Sequence, residues 1–239
     1  MPRPANPLFC ALDTADLDAA LGLAHTLKEI VGGFKIGLEF FCAHGPAGVR
    51  RLAALEMPVF IDLKLHDIPN TVRGAIRSVM PLAPAIVTLH ASGGAAMLQA
   101  AVETVADEAE KLDVKRPWVV GVTVLTSLDA GDLEALSISG STHRVAARLA
   151  KLAERSGLDG AVCAPHEIST LRSTVGKNFK LVVPGIRPKG SDPDDQKRVL
   201  TPQEAMAAGA DFIVVGRPIA RAESPERAAR AILDSLDTA

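Results

Sequence analysis

The sequence predicts an α/β fold, a (β/α)8 TIM barrel formed as a single domain over residues 1–239. Three observations predict it. Short apolar runs alternate with amphipathic stretches eight times, at roughly 30 residues a unit, the size of a strand–helix repeat closed into a barrel. The apolar runs are continuous rather than alternating, which suits strands of a parallel sheet covered on both faces. No Gly-x-Gly-x-x-Gly follows the first strand, where an open doubly wound sheet would carry it, and no Ser/Gly-rich linker or low-complexity tract divides the chain. A length of 239 residues is long for a typical domain but usual for one such barrel.

The elements follow in order. The first strand is the apolar run at residues 8–12, after which Asp16 caps a helical pattern reaching residue 31. A short strand at 34–37 leads into a helix at 39–55, and a strand at 58–63 into a helix at 70–80. The fourth unit is a strand at 85–89 with a helix at 95–111, and the fifth a strand at 118–125 with a helix at 142–156. Strands at 160–163, 180–183 and 212–215 pair with helices at 166–174, 202–208 and 225–236. The stretch 78–102 holds no Asp, Glu, Lys or Arg and is long enough to span a bilayer. Pro81, Pro84, His90, Gly93 and Gly94 interrupt it, so it reads as a helix end, a strand, a loop and a helix start.

Composition narrows the function. Hydrophobic residues make up 48% of the chain, enough for a sizeable core, and the net charge of −2 offers no basic excess for nucleic acid or an anionic membrane. Seven Phe, one Trp and no Tyr argue against a base-stacking surface, so the core rests on Ala, Val, Leu and Ile. Cys10, Cys42 and Cys163 are widely spaced and unpatterned, as buried free thiols of a reducing compartment are. The N-terminal MPRPANPLF has no apolar core of a signal peptide, and a cytoplasmic protein is expected.

A closed barrel carries its chemistry at the C-terminal ends of its strands. There the sequence places Asp13 after the first strand, Lys35 on the second, Asp62 and Lys64 on the third, His90 on the fourth, and Thr126 and Ser127 after the fifth. Asp62 and Lys64 are two apart on a strand, so both face the barrel interior while Leu63 faces away. A lone Asp-x-Lys is ordinarily a structural salt bridge. Here Asp13, Lys35 and Asp67 converge on the pair, and a network that costs this much desolvation is usually retained for a task. His66 reads as structural, and His90 is equally open to a structural or a functional role. His25, His44, His143 and His166 fall on helices. No spacing suits a metal, and lysines stand where a metal site would need lone-pair donors, so no metal is expected.

Phosphate sites of such barrels lie in the loops after the seventh and eighth strands. Both loops here set arginine beside glycine, as Gly185-Ile186-Arg187 and Gly216-Arg217. Glycine admits an anion close to the backbone N–H, and arginine offers a two-pronged donor to phosphate oxygens. A phosphorylated ligand is expected, with the polar stretch 186–198 as a loop able to close over it.

The stretch DLKLHDIPNT resembles the Asp-x-Lys-x-x-Asp-Ile-x-x-Thr signature of the orotidine 5′-monophosphate decarboxylase family. The resemblance covers nearly the whole chain, through ALD, FKIG, VLTS, PGIR with a following Gln, and VVGRPI in order. It implies metal-independent, cofactor-free decarboxylation of orotidine 5′-monophosphate to UMP and CO2, the final step of de novo pyrimidine nucleotide synthesis. By this resemblance Lys64 protonates C6, and Asp62 lies against the leaving carboxylate and holds Lys64. Lys35 and Asp67 complete the array, and Asp13 and Lys35 bond the ribose. Thr126 lies by the pyrimidine, while Gln196, Arg217 and the Gly216 N–H grip the phosphate with Arg187 nearby. The family is a homodimer, with Asp67, Ile68 and Thr71 reaching into the partner's site.

The chemistry agrees with that assignment. Decarboxylation leaves a carbanion-like carbon that a fixed ammonium stabilises and then protonates. Paired carboxylates keep such a lysine charged, and the remote phosphate supplies binding energy usable at the reacting carbon. A Mg2+-dependent sister that decarboxylates a sugar-acid phosphate shares Asp-x-Lys-x-x-Asp, but it places Glu where this chain has Lys35. A phosphosugar isomerase would need a poised acid/base pair, for which an array tied up in ion pairs is poorly suited. A non-catalytic nucleotide-binding barrel would bind its ligand without turnover.

Overall fold

Buried on both faces, the eight apolar runs form eight strands: β1 (Leu8–Ala11), β2 (Gly33–Ile36), β3 (Val59–Leu65), β4 (Ile86–His90), β5 (Trp118–Val122), β6 (Gly160–Val162), β7 (Lys180–Val183) and β8 (Phe212–Val215). The structure, a computed structural model, describes residues 6–188 and 200–237. Each strand pairs in parallel with its sequence neighbours, and β8 pairs with β1, so the sheet closes into the expected barrel without an edge. The helices around it are α1 (Leu17–Leu27), α2 (Leu38–Ala53), α3 (Pro69–Val79), α4 (Gly94–Lys111), α5 (Ala130–Ala135), α6 (Thr142–Arg155), α7 (Ile168–Thr174), α8 (Pro202–Ala207), α9 (Arg217–Ala220) and α10 (Pro225–Asp237).

Asp16 caps α1 as expected, its side chain accepting from the Ala19 N–H. The stretch 78–102 divides into the end of α3, β4 and the start of α4, and among the described residues no helix is long and apolar enough to cross a membrane. Other elements depart from expectation. β5 stops at Val122 rather than residue 125, because Thr123 turns its hydroxyl to the Val162 carbonyl and Leu125 is exposed. β3 runs on to Leu65 instead of residue 63. α2 is interrupted at Gly45 (φ +55°), whose left-handed backbone sits just before Pro46. The short α5, boxed by Asp129 and Asp132, and α9 were not expected, being too brief to show a helical period. Cys10 and Cys163 are buried, but Cys42 is exposed on α2.

Alternation along the strands divides the core in two. Phe9, Phe60, Ile86, Trp118, Val120, Val182, Phe212 and Val214 point inward and fill the barrel. Leu8, Cys10, Ile61, Val87, Leu89, Val119, Leu181 and Ile213 point outward beneath the helices. The inner aromatics stack edge-on, with Phe9 5.9 Å from Phe60 and 5.8 Å from Phe212. Gly33 makes room for them, since a Cβ there would lie 2.6 Å from the Phe9 ring and 2.5 Å from the Pro58 carbonyl. This layer fills the N-terminal half of the barrel, and the barrel's cavity lies toward the strands' C-terminal ends.

Two aspartates tie the closed end. Asp159 precedes β6, pairs with Arg116 at 2.8 Å and accepts the Val119 N–H at 2.7 Å. Asp211 precedes β8, pairs with Arg172 at 2.6 Å and Lys180 at 2.9 Å, and accepts the Leu181 N–H at 2.9 Å. We expect Asp211→Ala to destabilise the fold by about 2–4 kcal/mol, because it takes the carboxylate from both Arg172 and Lys180 and leaves the Leu181 N–H without its acceptor. Urea unfolding checks this, and turnover of the folded variant should stay near wild type because the change lies at the end remote from the strand C-termini.

Candidate active site

The inward positions one layer above the aromatics are polar. Lys35 on β2, Asp62 and Lys64 on β3 and Thr88 on β4 follow the same alternation as Phe60 and Ile86; Lys35, Asp62 and Lys64, with Asp13 beyond β1, form the floor of a cavity of about 660 Å3, and Thr88 lies buried behind Asp62. A volume of this size holds a mononucleotide. The charges alternate in sign: Lys35 Nζ lies 2.8 Å from Asp13 Oδ1 and 3.8 Å from Asp62 Oδ2, and Lys64 Nζ lies 2.8 Å from that same Asp62 oxygen. Asp62 is 7% exposed and Lys35 9%. An unpaired charge at that depth would cost several kcal/mol, and here each cation faces a carboxylate. Gly37 leaves the space for this, since a Cβ there would stand 2.9 Å from Asp13 Oδ1 and 3.0 Å from Lys35 Nζ.

The third strand reaches this arrangement by a bulge. Ile61 pairs with Val87, but the next pairing is Leu65 with Leu89, so Asp62, Leu63 and Lys64 stand against Thr88 alone. The extra length lets β3 end further along than its apolar run suggests, and it turns the Lys64 backbone to φ +52°. A left-handed lysine costs roughly 1–2 kcal/mol. Such strain persists only where the surroundings determine it, and it concentrates at functional sites. The buried Thr88 hydroxyl answers the bulge, accepting the Lys64 backbone N–H at 2.9 Å and donating to Asp62 Oδ1 at 2.9 Å. Sequence reasoning missed Thr88. Its signal was a polar residue at an inward position of an otherwise apolar strand.

The other end of the cavity carries the two Gly-Arg pairs. Gly185 (φ +74°) adopts a conformation that glycine takes without strain, and Arg187 beyond it is 7% exposed. The Arg187 N–H donates to the Leu200 carbonyl at 3.0 Å, and Ile186 bridges Leu200, so the base of this loop is pinned. Gly216 sits against Ala11, where a Cβ would come within 3.3 Å, and Arg217 opens α9 on the cavity wall. Thr126 lines the same space. Gln196 and the rest of the expected closing loop lie outside the described residues.

Asp67, Ile68 and Thr71 do not join the cavity of their own chain. Asp67 is exposed and accepts the Ile68 N–H at 2.7 Å, and Ile68 is 66% exposed. The convergence read from the sequence therefore holds within one chain for Asp13, Lys35, Asp62 and Lys64, and not for Asp67. His66 and His90 stand together with ring centroids 5.3 Å apart. Burial holds the His90 imidazole below its ordinary value of 6.5, and His66 and Lys64 push the same way against Asp62. Cys10 lies behind the array, its thiol pushed up to about 12 by burial first and Asp13 second, which keeps it protonated.

Known proteins resemble this chain over nearly its whole length. Residues 6–232 match the family model described as orotidine 5'-phosphate decarboxylase / HUMPS family. The orotidine 5'-phosphate decarboxylase of Paramagnetospirillum magneticum is 53% identical over 231 residues, 97% of this chain and 98% of the relative. That of Novosphingobium aromaticivorans is 52% identical over 232 residues, 97% of this chain and all of the relative. The crystal structure of the Lactobacillus acidophilus orotidine 5'-phosphate decarboxylase superposes with a TM-score of 0.86 at 31% identity, covering 97% of this chain and 99% of that one.

Proposed function

The chain belongs to the orotidine 5′-phosphate decarboxylase family, and on that premise we propose that it converts orotidine 5′-monophosphate to UMP and CO2 without a metal ion, Lys64 delivering the proton to C6. The observation that carries this reading is the Asp13–Lys35–Asp62–Lys64 array on the cavity floor, with Arg187 and Arg217 on the wall of the same cavity. The bond from C6 to the carboxylate breaks and its electron pair stays on C6. The Lys64 ammonium stabilises that charge and transfers one proton to it, and the resulting amine takes a proton back from solvent. Asp62 holds Lys64 in place and lies against the leaving carboxylate. Asp13 and Lys35 bond the ribose, Thr126 lies by the pyrimidine, and Arg217, Gly216, Arg187 and Gln196 surround the phosphate.

Metal independence rests on Lys35. Its ammonium stands between the Asp13 and Asp62 carboxylates, so a divalent cation brought to those oxygens would meet a fixed positive charge. The test is to add orotidine 5′-monophosphate to the purified protein in EDTA and follow the loss of pyrimidine absorbance. Sustained loss supports substrate, reaction and metal independence together. Activity abolished by chelation and restored by Mg2+ would move the reading to the sugar-acid-phosphate sister, and nucleotide binding without turnover to a non-catalytic barrel.

The working form in this proposal is a cytoplasmic homodimer, with no nucleic-acid or membrane partner, in which Asp67, Ile68 and Thr71 complete the partner's site. The exposure of these residues away from their own cavity supports it. Mixing Lys64→Ala with Asp67→Ala subunits should then restore one working site per mixed dimer, because one site draws both native residues from different chains. Verified mixed dimers without recovered turnover would place Asp67 in its own chain's site.

A further inference from the structure

We infer that Thr88 is a positioning residue for the decarboxylation, its hydroxyl fixing the orientation of Asp62 and the backbone of Lys64 at once. The inference rests on the proposed roles of Asp62 and Lys64. Thr88 is 1% exposed, and its hydroxyl uses both of its capacities inside the site: it donates to Asp62 Oδ1 at 2.9 Å and accepts the Lys64 N–H at 2.9 Å. The consequence lies in which carboxylate oxygen remains. With Oδ1 held by Thr88, both lysines address Oδ2, Lys64 at 2.8 Å and Lys35 at 3.8 Å. A carboxylate rotates readily about its last torsion, so without a partner on Oδ1 the two lysines would pull it between alternative settings. The second bond acts on the strand itself. Asp62, Leu63 and Lys64 face a single β4 residue, so the Lys64 N–H has no ladder carbonyl opposite it, and the hydroxyl takes that place. One side chain thus sets the backbone that aims the ammonium and the carboxylate that holds it.

The discriminating variants are Thr88→Val, which keeps the shape and removes the hydroxyl, and Thr88→Ser, which keeps the hydroxyl. Thr88→Val should lower kcat by about 10- to 100-fold, the scale of a reacting group held slightly out of place, while the Kd for UMP shifts by less than about threefold. Thr88→Ser should recover kcat to within about threefold of wild type. Exchange of the UMP C6 hydrogen in D2O, which runs the Lys64 proton transfer in reverse, should fall in Thr88→Val by a factor similar to kcat. Should Thr88→Val fail to fold, Thr88→Ala carries the same comparison without added bulk.

A folded Thr88→Val with wild-type kcat overturns the inference. So does an equal loss of kcat and UMP affinity, which would mean a generally loosened site, or a Thr88→Ser as impaired as Thr88→Val. A wild-type protein that binds UMP but neither decarboxylates nor exchanges the C6 hydrogen overturns the proposed function itself, and the inference with it.

Discussion

Lys64→Ala should lose turnover by roughly four orders of magnitude while still binding UMP, because the substitution removes both the proton and the charge that the developing carbanion meets. The variant is expected to fold. Asp62 keeps the Thr88 hydroxyl on Oδ1 and Lys35 at 3.8 Å from Oδ2, so its carboxylate is not left alone. The substitution also leaves the backbone strain in place, since alanine is no easier than lysine at φ +52°. Single-turnover decarboxylation and equilibrium binding of UMP, measured on the same preparation, separate the two effects. Residual turnover within about a hundredfold of wild type would remove Lys64 from the proton-donor role and leave it a structural counter-ion.

Arg217→Ala should cost about 100-fold or more in kcat/KM with orotidine 5′-monophosphate and almost nothing with the bare nucleoside. Arg217 opens α9 immediately after Gly216, at the end of β8, on the wall of the cavity whose floor carries the charge array. On the proposed reading, a guanidinium there acts on the reaction through the phosphate, a group that the nucleoside lacks. The comparison of two substrates is therefore more informative than the size of either loss. Equal losses on both would place Arg217 against the base or ribose, or show that it supports the loop rather than the ligand.

The barrel was legible because parallel strands buried on both faces write themselves as apolar runs, and eight of them stand in regular succession. That the Gly-Arg pairs after β7 and β8 come to one cavity was legible for a related reason: a barrel gathers the C-terminal ends of its strands at one mouth. Asp62 and Lys64 were placed on one face by a two-residue period that survived the bulge between them. What the sequence concealed is equally physical. Nothing in FIDLKL announces that three of its residues will face one on the neighbouring strand, so the extra reach of β3 and the left-handed Lys64 went unseen. Thr88 was hidden because one hydroxyl among Ile86, Val87 and Leu89 reads as a tolerated polar residue until its two partners are known. Asp67 was drawn into the array by its spacing, yet within one chain its carboxylate turns back to its own neighbour's N–H. The helices α5 and α9 span six and four residues, too few to express a 3.6-residue period.

The aromatic layer that closes the lower barrel has an optical consequence. Trp118 is the chain's one tryptophan, there is no tyrosine, and its indole packs 5.3 Å from the Phe212 ring inside the plug. Intrinsic emission therefore comes from a single fluorophore that does not line the cavity and is 9% exposed, so separation of the strands would open it much further to water. Its wavelength is a gauge of barrel integrity that stays quiet while the mouth fills and empties. For the variants of Lys64, Thr88 and Arg217, it separates a protein that has come apart from one that has merely stopped working.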